Sequence, residues 1–268
     1  MTVFFEAGYT KPGADYGLTH ARIAHSLNWL SGGTATASKT AETGYFVNAP
    51  LNTLTYERYK PVSMNFNWEY DHGSAAECDY CCIAAHTFGT NGNSLSVQYY
   101  DGAAWQAVLA STTVSSDEPI IVIFEPETRQ RWRVVLSGGT APEVGVVKFG
   151  KAMQMERPLY GGHTPVAMAR DTALRSNYSE TGEYLGRVKK RTMLSTSYNW
   201  QHLSAIWIRA NWPSFQLATE AEPFWIAWRP ETVGDVAYAQ LDQVPAPENM
   251  GIRDLMSVSM SIRARGYD

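Results

Sequence analysis

Three cysteines and a histidine fall close together, Cys78, Cys81, Cys82 and His86, with His72 six residues ahead of the first. Side chains of these types hold zinc or iron–sulfur clusters when several of them converge on one point. The segment from Tyr80 to His86 reads as a strand, and strand side chains alternate between faces. Cys82 and His86 then face one way with Tyr80 and Ala84, while Cys81 faces the other with Ile83 and Ala85. Neighbouring Cys81 and Cys82 can share an ion only across a bulge. We therefore read them as small buried hydrophobes; a metal held by Cys78, Cys81, Cys82 and His86 is the alternative. An odd number of cysteines packed into five residues is also not a secreted disulfide framework.

Other chemistry finds little footing. The sequence has no Gly-x-Ser-x-Gly elbow, no His-Glu-x-x-His helix and no Walker-type phosphate loop. His163 stands in a Pro- and Gly-rich stretch, and His202 stands at an expected helix start. The carboxylates Asp71, Asp101, Asp117, Glu118, Glu125 and Glu127 are scattered among turns, where solvated residues are the simpler account. The expectation is a protein without catalytic residues and without a cofactor.

Sugar recognition is a better match to the side chains present. Loop aromatics stack on a pyranose face while Arg, Asn and Asp bond its hydroxyls. Tyr99, Tyr100 and Trp105 lie on one expected hairpin, with Asn91, Asn93 and Arg129 in neighbouring loops. Tyr99 alternates inward with Leu95 and Val97, and Trp105 is expected to pack on the sandwich. Tyr100 alone has the parity to face out. The candidate glycan contacts are thus Tyr100, Asn91, Asn93 and Arg129.

The elements that must position these residues are mostly strands. Pro119 to Phe124 is a β-branched apolar run that reads as a buried strand. Leu95, Val97 and Tyr99 alternate with polar neighbours, as do Trp132, Val134 and Leu136. Asn91-Gly92, Asp101-Gly102 and Gly138-Gly139 separate them as turns. Short strands with turn signals at such spacing indicate a β-sandwich. The chain has 268 residues, 44% of them hydrophobic, which suffices for two domains of ordinary size. Its 22 basic and 26 acidic residues are mixed, and its longest basic run is Lys189-Lys190-Arg191. A nucleic-acid partner is not expected from that pattern. The start, Met1 to Glu6, has neither a basic n-region nor a long apolar stretch, so a chain folded in a cytoplasm, without membrane insertion, is expected.

From Thr34 to Met155 the order of motifs carries a resemblance. Asp101-Gly102-Ala103-Ala104-Trp105 is followed by Arg131-Trp132-Arg133-Val134 and by Gly145-Val146-Val147-Lys148-Phe149-Gly150. This order resembles the galactose-binding-like, discoidin-type jelly roll, which implies a β-sandwich over residues 34–156. Many relatives carry Asp-Gly where this chain has Leu51-Asn52-Thr53, so the carboxylate of that family's calcium site is missing.

Beyond residue 156 a linker over 157–182 is expected, then a β domain over 183–268, with residues 1–33 as an irregular arm that orders on assembly. Glu183 to Trp200 reads as a long hairpin. Leu203, Ile206, Trp207 and Ala210 lie on one face of a helix over about 202–211, ended by Pro213. Strands follow at Phe224 to Ala227, Val236 to Ala239 and Val258 to Ile262. This half is similar to the tail-tube and distal-tail-type domains of phage tails, a β-sandwich or barrel with one packed helix. The resemblance implies a structural component of a phage tail tip or baseplate, resident in the virion and made in the host cytoplasm. Its partners would be copies of itself in a ring and other tail proteins, with Trp228 and Arg229 as interface anchors. The alternative is an adhesin module that recognises a host-surface glycan.

Overall fold

The computed structural model describes residues 2–10, 16–232, 234–251 and 253–267. Among them the strands run β1 (Thr2–Phe5), β2 (Arg22–Ala24), β3 (Thr34–Ala37), β4 (Phe66–Ala84), β5 (Ser94–Tyr100), β6 (Trp105–Thr113), β7 (Ile120–Ser137) and β8 (Val146–Gly150). There follow β9 (Met153–Gln154), β10 (Arg170–Tyr178), β11 (Tyr184–Ser204), the helix α1 (Ala205–Thr219), β12 (Phe224–Ala227), β13 (Val236–Leu241), β14 (Glu248–Asn249) and β15 (Leu255–Arg265). The fold is all-β, as the alternation of apolar residues indicates.

The first sheet has the order β3-β4-β7-β5-β6, with β1 added parallel to β7 and β8 added to β4. β4 and β7 each serve twice. Phe66 to Asp71 pairs with residues 131–136, whereas Ala76 to Ile83 pairs with residues 120–129. Between the two stretches the register shifts, and Gly73 takes a left-handed φ of 83° while its N–H is held by Asp71. The sheet thereby folds over on itself as a sandwich. Trp132 stacks on Phe124 and Phe149 at 5.3 and 5.6 Å across the enclosed core.

The half formed by β8, β1 and the facing ends of β4 and β7 is buried on both sides. Cys81, Ile83, Ile120 and Val122 point into the sandwich. Tyr80, Cys82, Ala84, Ile121 and Ile123 point into a second core, shared with Trp200, Trp212, Phe215 and Trp225. This explains why 80–85 and 120–124 are unbroken apolar runs: a strand covered on both faces has no polar side to alternate with.

The second sheet has the order β10-β11-β15-β13-β12-β2-β9. Residues 1–33 are not a free arm in their described part, since β1 belongs to the first sheet and β2 to the second. Within this segment Arg22–Ala24 pairs with β12. The span 157–182 contains strand β10, which pairs with β11. The hairpin is therefore β10–β11, and Tyr184 to Trp200 lies in one of its strands.

The helix also differs from expectation. Ser204 caps it, its hydroxyl accepting from Trp207 N–H at 3.2 Å, and α1 runs through Pro213 to Thr219. Its buried residues include Ala205, Ile208, Trp212, Phe215 and Ala218, while Ile206 is 78% exposed. A proline interrupts one hydrogen bond of a helix, but the aromatic anchors Trp212 and Phe215 on either side keep this one in place. Two further bonds tie the halves together: Thr53 Oγ1 donates to Glu222 at 2.6 Å, and the Tyr238 hydroxyl donates to the Thr53 carbonyl at 2.7 Å. No helix among the described residues is long and apolar enough to cross a membrane.

Candidate functional site

On the first sheet, Trp68, Tyr70, Leu95, Val97, Trp132 and Val134 face the sandwich core. Their strand neighbours must face outward. The register places Glu69 beside Arg133, Arg133 beside Gln98, and Tyr100 beside Trp105. An ordered row of rings, guanidinium groups, an amide and a carboxylate results.

The contacts within this row are specific. The Arg133 guanidinium lies 4.1 Å from the Trp105 ring centre, and that of Arg131 lies 4.7 Å from Tyr100 and 5.4 Å from Trp105. The two rings are 5.4 Å apart. Arg131 reaches Glu69 through Nε at 2.7 Å and through a terminal nitrogen at 2.6 Å. Arg133 donates twice to Gln98 Oε1, at 2.8 and 2.6 Å. Guanidinium groups held by carboxylate and amide partners keep a fixed orientation, so the rings they stack on are held as well. Tyr100 and Trp105 remain half-exposed.

The turn between the two rings is itself fixed. Asp101 Oδ1 accepts from Ala104 and Ala103 N–H at 2.7 and 2.8 Å, and Oδ2 accepts from Gln106 at 2.8 Å. Those backbone bonds hold the Asp101 carboxyl down at about 2. Gly102 occupies the left-handed region at a φ of 105°, which favours glycine. Asp101-Gly102 therefore sets Trp105 opposite Tyr100.

The candidate residues read from sequence do not all gather here. Tyr100 faces out as its parity requires. Trp105 joins it on the outer face instead of packing on the sandwich core. Arg129 lies one step further along β7, over Tyr99 at 4.6 Å and paired with Glu127 at 2.9 Å. Asn91 and Asn93 lie at the opposite end of β5, roughly 20 Å away at the usual rise per strand residue. Asn93 is buried and donates to the carbonyls of Gly138 and Thr140 at 2.7 and 3.0 Å. Asn91 bonds Thr87 and Thr140. Both asparagines fix loops.

Arg131, Arg133, Gln98 and Glu69 escape a motif-led reading. Their signal is the spacing Arg131-x-Arg133 on a strand, which puts both side chains on the outer face, whereas the guanidinium of Arg129 turns to Tyr99.

The cysteine cluster does not form one site. Cys78 and Cys81 are buried in the sandwich core and Cys82 in the shared core, on opposite sides of β4. Burial pushes all three thiols up, away from the thiolate a metal needs. His86 is buried, with Nε2 at 2.9 Å from the Glu118 carbonyl and Nδ1 accepting from Phe88 N–H. These bonds fix a neutral ring, and burial lowers its pKa to about 3. No group of three or more potential metal ligands occurs among the described residues.

Trp228 packs at the edge of the shared core, its ring 4.4 Å from His163, and Arg229 is paired with Glu231. A separate cleft is lined by His86, Asp117, Glu118, Arg170, Arg265 and Tyr267, away from the aromatic row.

No protein-family model matches this chain, and no curated protein matches it. Among solved structures it is similar to chitosan-binding module 1 of a chitosanase/glucanase from Paenibacillus sp. IK-5, at 16% identity and a TM-score of 0.40, over 48% of this chain and 99% of that one. It is similar to the family 32 CBM of C. perfringens NanJ, solved in complex with galactose, at 11% identity and a TM-score of 0.40, over 49% of this chain and 99% of that one. It is also similar to a putative alpha-L-fucosidase from Bacteroides thetaiotaomicron, at 17% identity and a TM-score of 0.41, over 48% of this chain and 29% of that one.

Proposed function

We propose that this chain is a carbohydrate-binding protein without catalytic activity, and that it contacts a glycan across the outer face of its first sheet. The observation that carries this reading is the pair of half-exposed rings, Tyr100 and Trp105, aligned with Arg131, Arg133, Gln98 and Glu69. Rings supply apolar surface for the C–H face of a pyranose, and the fixed donors and acceptors beside them suit its hydroxyls. A glycan array followed by titration of the best ligand tests it. Tyr100→Ala or Trp105→Ala should each weaken binding about tenfold, the loss of one stacking contact with its buried area. A protein that binds no glycan, or a double variant that binds as the parent does, contradicts the reading. Binding abolished only by changes around Asp117 and Tyr267 would move the site to the cleft.

A second reading has its own support. As a multi-copy component of a phage tail tip or baseplate, the chain would need surface to bury against neighbours. The β10–β11 hairpin offers such surface. Recovery of the protein in fixed copy number from purified virions would support this reading. The two readings are compatible, since a glycan-binding face can be carried on an assembled particle.

A further inference from the structure

The hairpin is the least covered part of the molecule. β11 pairs with β15 only from Met193 onward, so among the described residues β10 is the sole strand beside residues 184–191. From Ala173 to Arg191 no side chain is buried. Leu174, Tyr178, Tyr184, Leu185 and Val188 are each at least 50% exposed. A two-stranded ribbon with solvent on both sides is marginal in water, and a cluster of exposed apolar side chains on it marks a surface that another molecule covers.

Charge identifies what covers it. Residues 170–191 carry six Lys and Arg against three Asp and Glu, while the rest of the chain carries sixteen against twenty-three. The hairpin is a basic projection on an acidic body. Two hairpins laid against each other would bring like charges together, whereas a hairpin laid on the body of another copy meets opposite charge.

We infer that the β10–β11 hairpin of one copy docks on the body of a second copy, head to tail, through Leu185 and the apolar neighbours on its face, Leu174, Tyr178 and Tyr184. A contact between two different patches of the same chain leaves each copy with one free hairpin and one free acceptor, so assembly proceeds to a closed ring or a filament. This inference deepens the assembly reading and rests on it for the identity of the partner.

The test is the mass of the full chain in solution across a concentration series, for the parent and for Leu174→Asp/Leu185→Asp. These side chains lie outside both cores, and an unchanged melting temperature confirms that the variant folds. The parent should form multi-copy species that dissociate as salt is raised. The variant should be a single copy, with association weakened about 30-fold or more, the effect of removing one interface hot spot. Lys190→Glu should weaken association in the same direction. Mixed with the parent, Leu174→Asp/Leu185→Asp should shorten the parent assemblies, since it still accepts a hairpin but offers none. A parent that stays a single copy overturns both this inference and the assembly reading. A parent that assembles while the variant assembles equally well overturns this inference alone. A variant that neither assembles nor shortens parent assemblies overturns the head-to-tail arrangement and indicates hairpin-to-hairpin pairing.

Discussion

At the scale of single residues, His86 and His25 are buried polar groups whose protonation is coupled to folding. Burial lowers His86 to about 3 and His25 to about 4. An unfolded chain protonates both near 6.5, so between pH 6.5 and those lower values the unfolded state binds more protons than the folded one. Stability is therefore complete above pH 6.5 and falls as pH drops below it, with His86 alone contributing a loss on the order of 3 kcal/mol by pH 4. Melting temperatures between pH 7.5 and 4.5 should show the decline, and His86→Gln should flatten it while lowering stability at neutral pH. The cysteines make a contrasting prediction. Cys81 and Cys82 fill two different cores, so a strong chelator should leave the melting temperature unchanged, whereas Cys82→Ser should destabilise by about 1–3 kcal/mol through a buried hydroxyl. A chelator-sensitive melting transition would restore the metal alternative. The opposed faces of Cys81 and Cys82 were legible from strand parity alone. The outward position of Trp105 was not, because it follows from cross-strand pairing with Tyr100.

At the scale of elements, periodicity located most strands but misjudged how they pair. Glu183 to Trp200 alternates along its length and so resembles two strands, yet its partner lies upstream in Arg170–Tyr178, beyond the turn at Ser179 to Gly182. Local pattern cannot choose among partners that lie on either side of a turn. The helix shows a similar limit. Pro213 signals a stop, but the burial of Trp212 and Phe215 outweighs one missing hydrogen bond. Pro213 is exposed, so Pro213→Ala should restore that bond and raise stability by roughly 1–2 kcal/mol in denaturant titrations, the gain being trimmed by the added freedom of the unfolded chain. The short strand β2 makes the opposite case. Ile23 is fully buried between elements more than a hundred residues away in sequence, and Ile23→Ala should cost about 2–5 kcal/mol. A loss near zero would mean that residues 22–24 do not complete the second sheet.

At the scale of the whole molecule, the two halves that sequence patterning separates share one core. Ile121 and Ile123 of the first sheet meet the side of Trp200, Trp212 and Trp225. A single cooperative unfolding transition is the expected consequence. Sequence could not show this, because two-sided burial of β4 and β7 is a long-range property of which the unbroken apolar runs are only the local trace. Two exposed features of this shared body carry the proposals made above, the aromatic row on one sheet and the bare hairpin on the other. The most direct test of the carbohydrate-binding reading is titration of one array-selected glycan into the parent, Trp105→Ala and Asn91→Ala, followed by heat release. The account predicts measurable binding that Trp105→Ala weakens about tenfold and Asn91→Ala leaves intact. Binding that survives Trp105→Ala and fails in Asn91→Ala, or no binding by the parent to any glycan, would contradict it.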